Sequence, residues 1–314
     1  MDARWLAEVR ARAEQFWDAT RRAHLLGTKQ LLLDPVADAP LLRVMGLVQR
    51  DGSMSAFAVR KFMQVNQLVA LLEPMLKDLM AREPCIRVLD AGCGRSYLTF
   101  LLAWCFEHRF RHPAEVLGLD RQAVLVDKCT RRAAILFDER RLRFVAAPVA
   151  GLDLTTLWSQ IFGGGGATPA VHAVMALHAC DTATDDALAL GLRVQAPLLA
   201  VVPCCHAELA ARWREADAAA LPGTLRPIWN SPHLRREAGA TFTDALRLLL
   251  LRQHGYRTTA LECVPSEHTP KNTLLRAVRH DSPEERRVAA AEFVMLRNLC
   301  GGYALALERQ MPCL

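Results

Sequence analysis

Two groups of residues in this chain have types and spacings suited to chemistry. The first is Asp90-Ala91-Gly92-Cys93-Gly94-Arg95-Ser96-Tyr97-Leu98, which follows the apolar run Arg87-Val88-Leu89. It reads as a strand ending in an acid, then a glycine-rich turn, then a helix. Glycines let backbone N–H groups approach a ligand in conformations a side chain forbids, and the helix start adds a positive dipole. That is the nucleotide-cofactor turn of an open α/β sheet. A dinucleotide turn needs a third glycine where this chain has Tyr97, which is too bulky for close helix–strand packing. Asp120 ends a second apolar strand, Val116-Leu117-Gly118-Leu119, where a carboxylate would accept both ribose hydroxyls of an adenosine. The second group is His178, Cys180 and Asp181, with Cys204, Cys205 and His206 after the next strand. His178, Asp181 and His206 are of the right types for proton transfer.

The elements that must position these groups alternate from residue 86 onward. Strands are expected at 86–90, 116–120, 142–146, 171–177, 198–202, 257–264 and 273–278, with helices at about 97–106, 122–138, 184–193 and 242–254. Residues 207–239 read as an insertion broken up by Pro222, Pro227 and Pro232. The short loop 265–272 forces strands six and seven to pair antiparallel, because a parallel pair needs a long crossover. This predicts an α/β, Rossmann-like sheet of seven strands with the last one antiparallel. A helical N-terminal extension over 1–80, a central domain over 81–280 and a C-terminal helical extension over 281–314 complete the organisation. Ser282-Pro283-Glu284-Glu285 has the spacing of a capped helix start. Within the N-terminal extension, Phe62, Val65, Leu68, Val69, Leu72, Met75 and Leu76 recur at helical spacing. Arg60, Lys61, Gln64 and Asn66 interrupt that pattern, either as a solvated face or as a lid beside the cofactor turn.

At 314 residues, 52% hydrophobic and 23% charged, the chain is globular rather than disordered. No apolar run reaches membrane-spanning length and the N-terminus has no signal-peptide core, so a cytoplasmic location with reduced thiols is expected. A net charge of +6 permits a polyanionic partner.

The segment Asp90, Gly92, Gly94, Ser96 resembles motif I of class I S-adenosylmethionine (SAM) methyltransferases, whose sheet ends in an antiparallel seventh strand. More closely, Gly92-Cys93-Gly94-Arg95-Ser96-Tyr97-Leu98-Thr99 is similar to the G-x-G-K-G-Y-L-S element of a methyltransferase-domain family. That family includes methyltransferase-like proteins and the glutathione S-transferase C-terminal-domain-containing protein. Leu177-His178-Ala179-Cys180-Asp181, Pro203-Cys204-Cys205-His206 and Arg60-Lys61-Phe62-Met63-Gln64-Val65-Asn66 resemble further segments of it. The L-H-x-C and C-C-H pairing is also similar to a eukaryotic tRNA 2′-O-methyltransferase family. Arg95 in place of lysine and Ser96 in place of the third glycine depart from the pattern.

The resemblance implies a SAM-dependent methyltransferase with RNA (tRNA or rRNA) as acceptor. Asp90, Gly92, Gly94, Tyr97, Asp120, Arg121, Pro148 and Leu177 are then expected to bind SAM. His178, Asp181, His206 and Cys205 are the candidate catalytic residues. Three readings of the Cys/His group stand side by side: a neutral pocket wall, a thiolate of Cys204 or Cys205 adding to pyrimidine C6 for cytosine-C5 methylation, or a zinc site. Adjacent strand residues point to opposite faces, which sets Cys204 and Cys205 badly for one ion, so no metal is expected. A protein or small-molecule acceptor, or a catalytically silent SAM-binding module, are the other functions considered.

Overall fold

The computed structural model describes residues 2–27, 31–163, 170–177, 181–203, 206–215, 223–263 and 273–311. The chain divides into two compact units, one built chiefly on residues 1–148 and 155–172, the other on 173–262 and 270–314.

The first unit opens with helices α1 (Ala3–Phe16), α2 (Ala19–Leu26), α3 (Ala39–Val44) and the long α4 (Ala56–Met80). Strands and helices then alternate as β1 (Ile86–Ala91), α5 (Tyr97–His108), β2 (Ala114–Asp120), α6 (Ala123–Leu136), β3 (Leu142–Ala146) and α7 (Leu154–Phe162). β1 and β2 pair in parallel with Val88 opposite Val116, and β2 and β3 with Val116 opposite Leu142. Every residue from Leu98 to Phe106 is buried, so α5 is an interior helix, apolar all round.

On α4 the expected stripe from Phe62 to Leu76 is buried except for Met75, which is half-buried, and Ser55 caps its start by accepting from Ala58 N–H at 3.2 Å. Asn66 departs from a solvated face, being only 1% exposed. Its Oδ1 accepts from Leu33 N–H at 2.8 Å and its Nδ2 donates to the Phe62 carbonyl at 2.9 Å, which ties the preceding loop to the helix.

The second unit contains β4 (Ala173–Leu177), α8 (Thr182–Arg193), β5 (Leu198–Val202), α9 (Glu208–Glu215), α10 (Arg226–Asn230) and α11 (Pro232–Gln253). It continues with β6 (Tyr256–Glu262), β7 (Thr273–Arg279), α12 (Pro283–Leu299) and α13 (Ala306–Gln310). β4 and β5 are parallel, while β7 runs antiparallel to both β5 and β6. The seven strands follow the order β3-β2-β1-β4-β5-β7-β6. This is an α/β, Rossmann-like sheet with the antiparallel final strand that the short loop implies.

The insertion is more helical than expected. Pro232 sits in the first turn of α11 and Pro227 in the first turn of α10. A proline there forfeits only an N–H that has no partner inside the helix, so it starts a helix rather than breaking one. Ser282 caps α12 by accepting from Glu285 N–H, as its spacing implies.

Cys85, Cys93, Cys105, Cys129, Cys263 and Cys300 are free thiols. Burial pushes Cys105 and Cys300 up to about 12. No helix among the described residues is long and apolar enough to cross a membrane.

Asp38 fastens the N-terminal helices to α5. Buried just before α3, it accepts from Trp104 Nε1 at 2.8 Å, from Arg109 Nη2 and from Asp34 N–H at 2.7 Å. Asp38→Ala strands the Trp104 and Arg109 donors and is expected to cost about 2 to 3 kcal/mol, read as a lower urea midpoint.

Candidate functional site

The glycine turn leaves β1 directly after Ala91, one residue beyond Asp90. Gly92 (φ +71°) and Gly94 (φ +54°) both occupy the left-handed region, and a Cβ on Gly92 would meet nothing within 4 Å. Glycine is thus required by backbone conformation, and the space it leaves is open to a ligand. The turn is laced to the end of β2. Cys93 N–H donates to the Leu119 carbonyl at 2.9 Å, and Gly94 N–H donates to Asp120 Oδ2 at 2.9 Å. Gln122 N–H donates to Asp120 Oδ1, also at 2.9 Å. Ser96, at φ +61°, holds the left-handed position where the resemblance has glycine. Its hydroxyl lies 3.2 Å from Cys129 Sγ, a local contact that offsets part of a strain of about 1 kcal/mol.

Asp90 is only 1% exposed. Its Oδ2 accepts from Thr99 Oγ1 at 2.6 Å, while its Oδ1 is buried with no partner among the described residues. Burial raises its carboxyl from 3.8 to about 6, opposed by the Thr99 hydrogen bonds and assisted by the nearby Asp120 charge. Tyr97, half-buried at the start of α5, stacks beneath Lys61 of α4, whose Nζ lies 5.4 Å from the ring centroid. The same Nζ donates to Gln64 Oε1 at 2.7 Å, and burial lowers its pKa. Lys61 therefore does not belong to a solvated face. Arg121 and Pro148 are exposed in this unit.

In the second unit Asp181 and His206 belong to one polar network. Asp181 sits at the unusual φ of +48°, its Oδ1 accepting from Ala207 N–H at 3.1 Å. Its carbonyl accepts from Arg247 Nη2 at 3.2 Å. Arg247, buried on α11, makes a fork to Asp185, with Nε to Oδ1 and Nη2 to Oδ2 both at 2.8 Å. It also donates from Nη1 to Asp244 Oδ1 at 3.2 Å. That same oxygen lies 2.8 Å from His206 Nε2, and His206 Nδ1 is buried without a partner among the described residues. The chain Asp185–Arg247–Asp244–His206 thus fixes the imidazole through one ring nitrogen and leaves the other free. Burial raises the Asp185 carboxyl, against the pull of Arg247.

Leu177 is half-buried at the end of β4. His178, Cys180, Cys204 and Cys205 lie outside the described residues. Among the described residues no group of three or more His, Cys, Asp or Glu side chains is placed to hold a metal ion. Asp185, Asp244 and Arg247 are polar residues of this network that sequence reasoning missed. The i, i+3 spacing of Asp244 and Arg247 was the available signal for two of them.

Residues 60–212 match the family model described as "Methyltransferase domain". No curated protein matches the chain. Among solved structures, the CMeT domain of the citrinin polyketide synthase is 14% identical with a TM-score of 0.42, over 78% of this chain and 66% of that one, just under two thirds. An S-adenosylhomocysteine-bound methyltransferase from Podospora anserina is 13% identical with a TM-score of 0.40, over 85% of this chain and 97% of that one. A putative rRNA methylase from Clostridium thermocellum is 13% identical with a TM-score of 0.42, over 68% and 97%. These are general likenesses and identify no acceptor.

The likeness over residues 60–212 is to a methyltransferase domain, and SAM is the cofactor it supports. The residues present fit it. Gly92 leaves room, and each Asp120 oxygen accepts one N–H and keeps capacity for a ribose hydroxyl. The unpartnered Asp90 Oδ1 suits a cationic group. Because the Asp90 pKa is higher folded than unfolded, its contribution to stability is present below about pH 4 and lost as pH rises through about 6. The two-unit shift corresponds to about 3 kcal/mol. Asp90→Asn is therefore expected to raise the Tm of the ligand-free protein at pH 7 and to flatten its pH dependence between 4 and 6. Calorimetric titration of the same variant with SAM is expected to show affinity at least ~10-fold weaker, as loss of a charged hydrogen-bond acceptor implies.

Proposed function

We propose that this chain transfers the SAM methyl group to an oxygen or nitrogen acceptor in RNA, with His206 receiving the acceptor's proton. The observation that carries the reading is the His206–Asp244 pair, 2.8 Å apart, with the second imidazole nitrogen left unpartnered among the described residues. SAM, when bound, supplies a methyl group on a sulfonium centre, open to in-line displacement by a lone pair.

The protein's part is to bind, orient and accept a proton. Asp120 receives hydroxyls at the turn, and Asp90 Oδ1 holds a positive group. A hydroxyl or protonated-nitrogen acceptor has a proton to lose, and His206 Nδ1 takes it. Asp244 balances the imidazolium so formed, and Arg247 keeps Asp244 from turning away. RNA is favoured over a protein or small-molecule acceptor by the net charge of +6 and by arginine, which makes up all but 5 of the 39 basic residues. Its planar fork suits phosphate. The likeness of the Leu177–Asp181 and Pro203–His206 segments to a tRNA 2′-O-methyltransferase family supports the same acceptor.

Tritium from labelled SAM is expected to enter total RNA, and His206→Ala to lower the initial rate by about 10²-fold or more. Asp244→Asn is expected to reduce the rate while leaving SAM affinity intact. SAM binding without transfer into RNA would sink the reading in favour of a silent binding module or another acceptor.

A further inference from the structure

We infer that a groove on the N-terminal helices seats single-stranded nucleotides of the acceptor RNA, an inference that rests on the RNA reading above. α1, α2 and the segment entering α4 enclose a cavity of about 1030 Å³. Its apolar lining includes Phe16, Trp17, Leu25 and Met54, and its basic lining includes His24 and Arg60. Trp17 is only 7% exposed, and its Nε1 donates to the Gly52 carbonyl at 2.9 Å, so the indole is a fixed part of the wall. Phe16 meets it edge-on, with ring centroids 5.2 Å apart. Arg21 covers Phe16 with its guanidinium 4.7 Å from the ring centroid.

The charge of the lining is one-sided. Arg21 and Arg60 contribute to it, the His24 ring adds a polar edge, and no acid among the described residues lines it. Arg21 is engaged with Asp18 at 3.9 Å, whereas neither His24 nor Arg60 has an ion pair or side-chain hydrogen bond recorded among the described residues. A purely apolar occupant matches the aromatic wall and leaves those two groups unanswered. A nucleotide matches both, its flat base on the apolar wall and its phosphate on the Arg60 guanidinium and the His24 ring.

The location also fits. Arg60 and Lys61 are consecutive on α4, and while Arg60 lines the groove, Lys61 lies over Tyr97 of the cofactor turn. Adjacent residues of one helix therefore reach the groove and the start of α5 beside the glycine turn.

A short fluorescein-labelled single-stranded RNA, titrated by anisotropy, tests this on the full chain. Arg60→Glu and His24→Glu, both at exposed positions, are expected to weaken binding about tenfold each and to flatten its salt dependence. Phe16→Ala is expected to weaken it by a similar factor with the salt dependence kept. SAM affinity, measured on each variant, is expected to stay at the wild-type value and so report an intact fold. Wild-type RNA affinity in all three variants overturns the groove while leaving tritium transfer into RNA, and the reading of function, standing. Binding lost in Phe16→Ala alone and insensitive to salt points to an apolar partner and overturns it as well. Absence of both RNA binding and transfer in the wild type overturns groove and function together.

Discussion

The carboxylate of Asp120 is the interaction on which the cofactor turn depends. One oxygen accepts the Gly94 N–H and the other the Gln122 N–H, so a single side chain joins the turn after β1 to the start of α6. The left-handed conformations of Gly92, Gly94 and Ser96 are costly or glycine-demanding in isolation, and this bond helps hold them. A carboxylate has about four lone-pair sites, and among the described residues only two are used. The group that shapes the turn therefore retains the capacity to receive a ligand hydroxyl without letting go of the backbone. Asp90 completes the arrangement from inside, held by Thr99 on one oxygen and open on the other.

The sheet was legible in the sequence because its strands are short apolar runs bounded by turn residues. Leu142–Ala146 and Leu198–Val202 coincide with the expected bounds. β5 is buried at every residue, which is why it reads as a continuous apolar run rather than an alternating one. The final antiparallel strand followed from loop length alone. The helical content of the insertion, residues 207–239, was hidden for an identifiable reason. Proline acts as a breaker or a starter according to position, and position depends on where the preceding chain turns, which one sequence does not display. Lys61 and Asn66 were hard for a related reason, since a polar residue in an apolar periodicity is as compatible with a buried tether as with a wet face.

The site was legible in proportion to how local it is. Asp90, Gly92 and Gly94 belong to one turn, and Asp120 ends the next strand, so order along the chain was enough. The network around His206 draws on α8 and α11, and Arg247 is 62 residues from the Asp185 it clasps. Nothing in local spacing links those two. A buried fork of this kind adds little net stability once desolvation is counted. What it supplies is a fixed direction for Asp244, and through it for the imidazole.

The buried thiols carry a consequence for how the fold opens. Alkylating reagents attack the thiolate, and a cysteine held near 12 presents roughly one thiolate in 10⁵ at neutral pH. Cys105 in the first unit and Cys300 in the second are shielded in this way, each behind its own set of packed helices. Reaction at either sulfur must wait for the surrounding structure to part. The rates at which the two become labelled therefore report separately on how often each half of the molecule breathes.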